Sequence, residues 1–194
     1  MKIARVLLAI SLTTAVHGAF AARADVMEGN PASQVKVLIY EDLQSGDCAR
    51  FRELLDQKIL PRYGSRVAFI YRDFPLGRDD WALPAAIAAR WVYERDPKLG
   101  IVFRRELLAE QDHIRPANLK DWLIDFAARN DLNQKGILDS LNDRRLAALV
   151  DQDWQGGVAR GISKAPTACI GGQVFAGIIL YDDLARALDE ALAR

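Results

Sequence analysis

The stretch from Val35 to Arg72 constrains the fold more than any other part of this 194-residue chain. Val35-Lys-Val-Leu-Ile-Tyr is rich in β-branched and aromatic residues and reads as a strand. Asp42-Leu-Gln-Ser-Gly-Asp follows as a turn. Phe51, Leu54, Leu55 and Ile59 then fall on one face of a helix, which Pro61 and Gly64 are expected to end. Arg66-Val-Ala-Phe-Ile-Tyr-Arg reads as a second strand. One helix between two strands favours a parallel pair joined by a right-handed crossover.

The middle of the chain is helical. Trp81 to Val92 is nearly all apolar, so this helix is expected to be buried on most sides. Leu99, Val102, Phe103 and Leu107 make another stripe. Leu119, Trp122, Leu123, Phe126 and Ala127 give the cleanest amphipathic pattern. Two shorter helices follow, marked by Ile137, Leu138 and Leu141 and by Leu146, Leu149, Val150 and Trp154. Gly156-Gly157 and Gly161 are expected to close the block. Strands then return. Thr167-Ala-Cys-Ile and Gln173-Val-Phe-Ala are separated by Gly171-Gly172, a two-residue hairpin signal. Leu180, Leu184, Leu188 and Leu192 mark a last helix. The order is β-α-β, a helical block, then β-β-α.

Hydrophobic content of 51% against 27% charged is a globular composition. At the N-terminus, Lys2 and Arg5 precede an apolar run from Val6 to Phe20. Ala19-Phe20-Ala21 and Ala22-Arg23-Ala24 are small-x-small cleavage sites. Residues 1–24 therefore read as a secretory signal peptide, and no later stretch is long enough for a stable membrane span. Its removal leaves 23 basic and 26 acidic residues, a net of −3, with His113 as the single histidine. This balance gives no support for nucleic-acid binding. One histidine and two cysteines also exclude a multi-histidine metal site and a four-cysteine zinc site. No metal and no cofactor are expected. His113 reads as a surface residue, Trp81, Trp91, Trp122 and Trp154 as core, and Arg104-Arg105 and Arg144-Arg145 as solvated faces.

Two local features carry chemistry. A strand runs into Ser45-Gly46-Asp47-Cys48 at the start of a helix, where free N–H groups and the helix dipole favour a thiolate. Ala165-Pro166-Thr167 leads into the hairpin, and its proline is a candidate cis peptide. Together with Tyr71-Arg-Asp-Phe-Pro-Leu and Gly161-Ile-Ser-Lys-Ala-Pro-Thr-Ala-Cys-Ile-Gly-Gly, these segments resemble the DsbA-like branch of the thioredoxin superfamily. That branch has D-x-x-C-P-x-C-x-x-F where this chain has Asp42-Leu-Gln-Ser-Gly-Asp-Cys-Ala-Arg-Phe.

The resemblance implies an α/β thioredoxin-like fold (β-α-β … β-β-α) with an inserted helical subdomain. The expected division is 25–77 and 159–194 for the two thioredoxin-like parts and 78–158 for the insertion. It also implies a periplasmic or secreted bacterial protein of the thiol–disulfide oxidoreductase family. Its partners would be extended or unfolded polypeptides or a redox partner protein. Cys48 matches the family's second, resolving cysteine. Ser45 stands where the first, attacking cysteine belongs, Gly46 where a proline belongs, and Ile39 where a buried acid belongs. Substrate contacts would fall on Gly46, Asp47, Ala165 and Pro166, the cis-proline groove being where an extended peptide pairs in the family.

Disulfide exchange needs a thiolate to attack and a second thiol to release the mixed intermediate. With serine at position 45, dithiol cycling through the motif stops, and the expected protein is monothiol or non-catalytic. Whether it is an enzyme stays open. One alternative keeps an active oxidoreductase working through Cys48. Another is a kappa-class-like glutathione transferase, in which Ser45 would hold a bound thiolate. As ordinary structure, Cys48 is an inert buried thiol and Ser45 a helix N-cap accepting from the N–H of Asp47 or Cys48. Cys169 is a candidate disulfide partner for Cys48. That bond requires Cα atoms within roughly 7 Å and would contribute on the order of 4–5 kcal/mol through chain entropy.

Overall fold

The structure is a computed structural model that describes residues 25–77 and 81–194. Residues 1–24, expected from the sequence to be a signal peptide, lie outside the described residues. A five-stranded sheet runs in the order β1-β3-β2-β4-β5. Strands β2 (Lys36–Glu41) and β3 (Ala68–Asp73) are its parallel centre. β1 (Val26–Gly29) pairs antiparallel with β3 on one side. β4 (Thr167–Ile170) and β5 (Gln173–Ala176) add antiparallel on the other. Both hairpin glycines, Gly171 and Gly172, have φ in the left-handed region, at 54° and 91°. That is the backbone a two-residue hairpin matching the strand twist requires.

Between β2 and β3 run α1 (Gly46–Leu54), a π-helical turn (Leu55–Ile59) and α2 (Leu60–Tyr63). The inserted block contains α3 (Ala82–Arg95), α4 (Pro97–Glu110), α5 (Leu119–Arg129), α6 (Gln134–Ser140) and α7 (Arg144–Val158). A 3-10 turn, Gln111–His113, follows α4, and α8 (Tyr181–Leu192) closes the chain. Among the described residues no helix is long and apolar enough to cross a membrane.

Strand alternation divides the core in two. Val37, Ile39, Phe69 and Tyr71 face Phe51 and Leu55 below and Leu184 and Leu188 of α8. Tyr40, Phe74 and Cys48 face the other way, into Trp81, Phe103, Leu123, Phe126 and Leu146 of the inserted block. The motif cysteine therefore belongs to the layer that joins the sheet to the insertion.

Several expectations need correction. The helix after the motif ends at Gly64 as expected, but it runs through Pro61. The Leu60 N–H bonds to the Leu55 carbonyl five residues back, and this widened turn takes in a proline that has no N–H to give. The helix then continues to Tyr63, whose hydroxyl donates to Asp189 at 3.0 Å. Gly156 and Gly157 do not punctuate the block; they lie inside α7. A Cβ at Gly157 would meet Phe74 Cε2 at 2.7 Å and Tyr40 Cε1 at 2.9 Å, so the glycine permits a close approach. The block ends instead at Gly161, with φ at 76°. Leu180 precedes α8 and is exposed, so only Leu184 and Leu188 of the expected stripe are fully buried. Trp81 and Trp91 are core, while Trp122 and Trp154 are half-buried.

The largest correction concerns Arg104. It is 2% exposed, not solvated. Its guanidinium bridges Glu41 and Asp73, which sit side by side at the ends of β2 and β3. Arg90 of α3 joins Asp73 to Asp153 of α7, and Arg72 contacts Asp153 at 3.4 Å. Charge removed from water needs a close partner of opposite sign, and this row alternates sign along its whole length. It ties the strand ends to α3, α4 and α7. Arg105, next in sequence, is half-buried and pairs with Glu28 and Asp56.

Candidate functional site

The motif sits at the carboxyl ends of the parallel strands, where open α/β sheets place their sites. β2 ends at Glu41, and Asp42 then organises the turn. Its Oδ1 accepts from the Gln44 N–H at 2.8 Å and its Oδ2 from the Leu76 N–H at 2.9 Å. The Ser45 N–H donates to the Asp42 carbonyl at 3.1 Å. Gln44 Oε1 accepts from the Trp81 N–H at 3.1 Å, which joins the turn to the start of α3. The buried Asp42 carboxylate thus holds the loop after β2 against the loop after β3.

Ser45 occupies the N-cap position of α1 with an extended backbone, φ −86° and ψ 123°. Its carbonyl accepts from the Ala49 N–H at 3.1 Å, but its side chain makes no capping bond. The hydroxyl is directed to the Cys48 sulfur instead, so the capping expectation is corrected. Gly46 is exposed, Asp47 is half-buried, and Asp47 pairs with Arg50 along the helix surface.

Cys48 is 2% exposed. Burial pushes its thiol well above the ordinary range, and the nearby Glu41 carboxylate adds to the shift. The Asp42 N–H, 3.4 Å from Sγ, and the Ser45 hydroxyl act in the opposite direction and do not overcome it. A helix N-terminus favours a thiolate, but here desolvation wins, and the sulfur is a protonated thiol at neutral pH. Cys169 lies in β4 opposite Leu38 and is half-buried. Burial raises its thiol as well, with Arg160 opposing. Both cysteines are free thiols.

The Ala165–Pro166 peptide bond is cis. Thr167 pairs with Tyr40 across β4 and β2, so Pro166 lies beside the end of β2, at the same edge as the motif. Thr167 Oγ1 donates to the Lys164 carbonyl at 2.7 Å. The Pro166 carbonyl accepts from the Gly177 N–H at 2.8 Å, which fixes the loop after β5 against the proline. That loop presents Ile178, 81% exposed. A notch of about 90 Å³ separates it from α1, lined by Asp47, Arg50, Phe51, Gly177, Ile178 and Ile179. Ser45, Gly46, Asp47, Cys48, Ala165 and Pro166 are therefore gathered at one edge of the molecule, with Ala165 and Pro166 buried beneath it.

Two residue groups escaped sequence reasoning. The Gln111 side chain donates to the Ser45 carbonyl at 3.4 Å, bringing the 3-10 turn that ends in exposed His113 alongside the motif. Nothing local announces that contact. Glu41 is the buried acid whose charge raises the Cys48 thiol most. Ile39, at the position expected for it, is fully buried among apolar groups. Burial holds the Glu41 carboxyl above its ordinary value against Arg104. Burial would also raise Asp73, but Arg104 and Arg90 outweigh it and hold that carboxyl low. The legible signal was two strands of equal pattern that both end in an acid. Among the described residues, no group of three or more His, Cys, Asp or Glu side chains is placed to hold a metal ion.

The thioredoxin family profile matches residues 21–190. The crystal structure of Wolbachia pipientis alpha-DsbA1 superposes with a TM-score of 0.75 at 20% identity, covering 87% of this chain and 91% of that one. BdbD from Bacillus subtilis, in its oxidised form, gives 0.75 at 19% identity over 88% and 94% of the two chains. The catalytic domain of Proteus mirabilis ScsC gives 0.72 at 21% over 87% and 89%. At these identities the likeness is one of fold. A Na(+)/H(+) antiporter, NhaA 3 of Salinispora tropica, is 29% identical over 172 residues. The match takes in 87% of this chain but only 25% of that relative's length.

Proposed function

The chain belongs to the thioredoxin family, and on that premise we propose that it is an exported DsbA-like protein that no longer cycles a dithiol at its motif. Residues 1–24 direct export to the bacterial periplasm or beyond. Residues 25–77 and 159–194 form the thioredoxin-like parts, and 78–158 the insertion. The observation that carries the reading is the pairing of a serine at position 45 with a Cys48 thiol that burial keeps protonated. Oxidising a client dithiol transfers two electrons into a disulfide, and the motif holds one sulfur. A lone sulfur can form a mixed disulfide but cannot resolve it, and this one is shielded from attack.

What remains is a binding role. An extended polypeptide would lie along the edge formed by Gly46, Asp47, Ala165 and Pro166, with hydrogen bonding to the backbone before the cis-proline in place of covalent chemistry. The ion transport named for the Salinispora relative stays with that protein, of which this chain matches 25%.

An insulin-reduction assay tests the reading. The native protein should show no dithiol turnover, and Ser45→Cys should create it. Turnover by the native protein that disappears in Cys48→Ala would overturn the proposal in favour of an active oxidoreductase. Glutathione binding that is lost in Ser45→Ala would overturn it in favour of a transferase.

A further inference from the structure

A second hollow shares no lining residue with the notch beside the cis-proline. It is a groove of about 630 Å³ between the loop after β3, the start of α3 and the outer face of α7. Pro75, Leu76 and Leu83 form one wall, and Ala147, Ala148 and Trp154 the other. Leu83 is 47% exposed, an unusual position for a leucine on a helix that is otherwise among the most buried in the chain.

The charges on the groove are arranged in a particular way. α7 buries Leu146, Val150, Asp153 and Gly157 and turns the opposite side outward. Arg144 and Asp151 are exposed on that outer side, and both line the groove. They stand two turns apart, about 10.5 Å along the helix axis. Among the described residues neither belongs to an ion pair, whereas neighbouring Arg145 is held by Glu94. Midway between Arg144 and Asp151 lie Ala147 and Ala148, the smallest side chains on the face.

We propose that this face is the interface of a symmetric homodimer, with α7 laid antiparallel against α7 of a second copy. A two-fold axis through the Ala147–Ala148 step places Arg144 opposite the partner's Asp151 and Asp151 opposite the partner's Arg144. The same patch meets itself, as a two-fold interface requires. The two alanines let the helix axes approach closely. The apolar walls, Leu83 included, are then covered on both copies. A positive and a negative charge set symmetrically about a small-residue centre complement a reversed copy of themselves. No other occupant needs that symmetry.

Sedimentation equilibrium of the full chain across a concentration series tests the proposal. A monomer–dimer equilibrium that weakens with added salt is expected. Asp151→Arg and Arg144→Asp each strike both symmetry-related pairs. Each single reversal should therefore raise the dissociation constant on the order of tenfold. The charge-swapped double variant, Arg144→Asp with Asp151→Arg, should restore dimerisation. Leu83→Glu, on α3 rather than α7, should give monomers with an unchanged circular dichroism spectrum. A native protein that stays monomeric at every concentration would overturn the proposal. So would a double variant that associates no better than the singles, or a Leu83→Glu protein that dimerises normally. A monomeric protein that loses apolar peptide binding in Leu83→Glu would assign the groove to clients instead.

Discussion

Removing the Arg104 charge would leave the buried carboxylates that end β2 and β3 without their shared partner. Arg104→Met keeps a long, flexible side chain of similar reach but deletes the guanidinium between Glu41 and Asp73. Both carboxylates are buried, and Arg90 still reaches only Asp73. Breaking a buried pair by removing one partner costs about 3–5 kcal/mol, because an uncompensated charge is left in a low-dielectric site. For a domain of this size that is a fall in Tm of roughly 6–20 °C. The contrast is supplied by the adjacent residue. Arg105 also pairs with two carboxylates, but its side chain is 37% exposed, so Arg105→Met should cost at most about 1 kcal/mol. Urea denaturation followed by circular dichroism measures both. Glu41→Gln in the Arg104→Met background should recover part of the loss, since one of the stranded charges is then gone. Equal losses for the two arginines, or an Arg104→Met protein within about 1 kcal/mol of the parent, would refute the idea that burial decides the outcome here.

Other outcomes can be checked alongside. In thiol titration with an aromatic disulfide reagent, Cys48 should react only on unfolding and Cys169 faster in the native protein, as their burial dictates. A native Cys48 that reacts at the rate of an exposed thiol would contradict this. Because burial raises the folded-state pKa of Cys48, its contribution to stability is complete below the unfolded thiol value of about 8.5. It should be lost as pH rises above that value. Cys48→Ala should therefore show a smaller decline in denaturation midpoint between pH 8 and pH 10, readable in urea. Gly157→Ala should destabilise by about 1–3 kcal/mol through overpacking, since its Cβ would strike the rings of Phe74 and Tyr40. A neutral Gly157→Ala in the same denaturation series would mean that α7 shifts freely.

Much of the fold could be read from short-range pattern. The Gly171-Gly172 pair marked its hairpin because the required backbone conformation is a property of those two residues alone. The β-α-β opening and the helical block were likewise carried by local spacing, whereas the roles of the segments Ser45 to Cys48 and Ala165 to Pro166 came from the family resemblance. What failed depended on distant partners. β1 is four residues long and gains its identity from pairing with β3. Arg104 and Arg105 have the same local sequence context, yet only one faces the acids that end β2 and β3. Gly157 looks like a helix end until Phe74 and Tyr40 are placed against it. Ser45 has the right residue type for a cap, but the neighbouring sulfur takes its hydroxyl. In each case a tertiary contact decided between two readings the local sequence allowed.

The π-helical turn at Leu55–Ile59 makes the distance from motif to β3 a matter of residue count. Deleting one exposed residue there, such as Gln57, would let the backbone return to ordinary helical winding. The widened turn holds one residue more than an α-turn, so the phase beyond it would change little and Tyr63 would still face Asp189 and the Ala185 carbonyl on α8. The ring of Pro61, however, would be driven into the preceding turn. Substitutions at Gln57 leave the widened turn untouched. A one-residue deletion there should therefore be rejected because of Pro61, even at a solvent-facing position where any side chain is accepted.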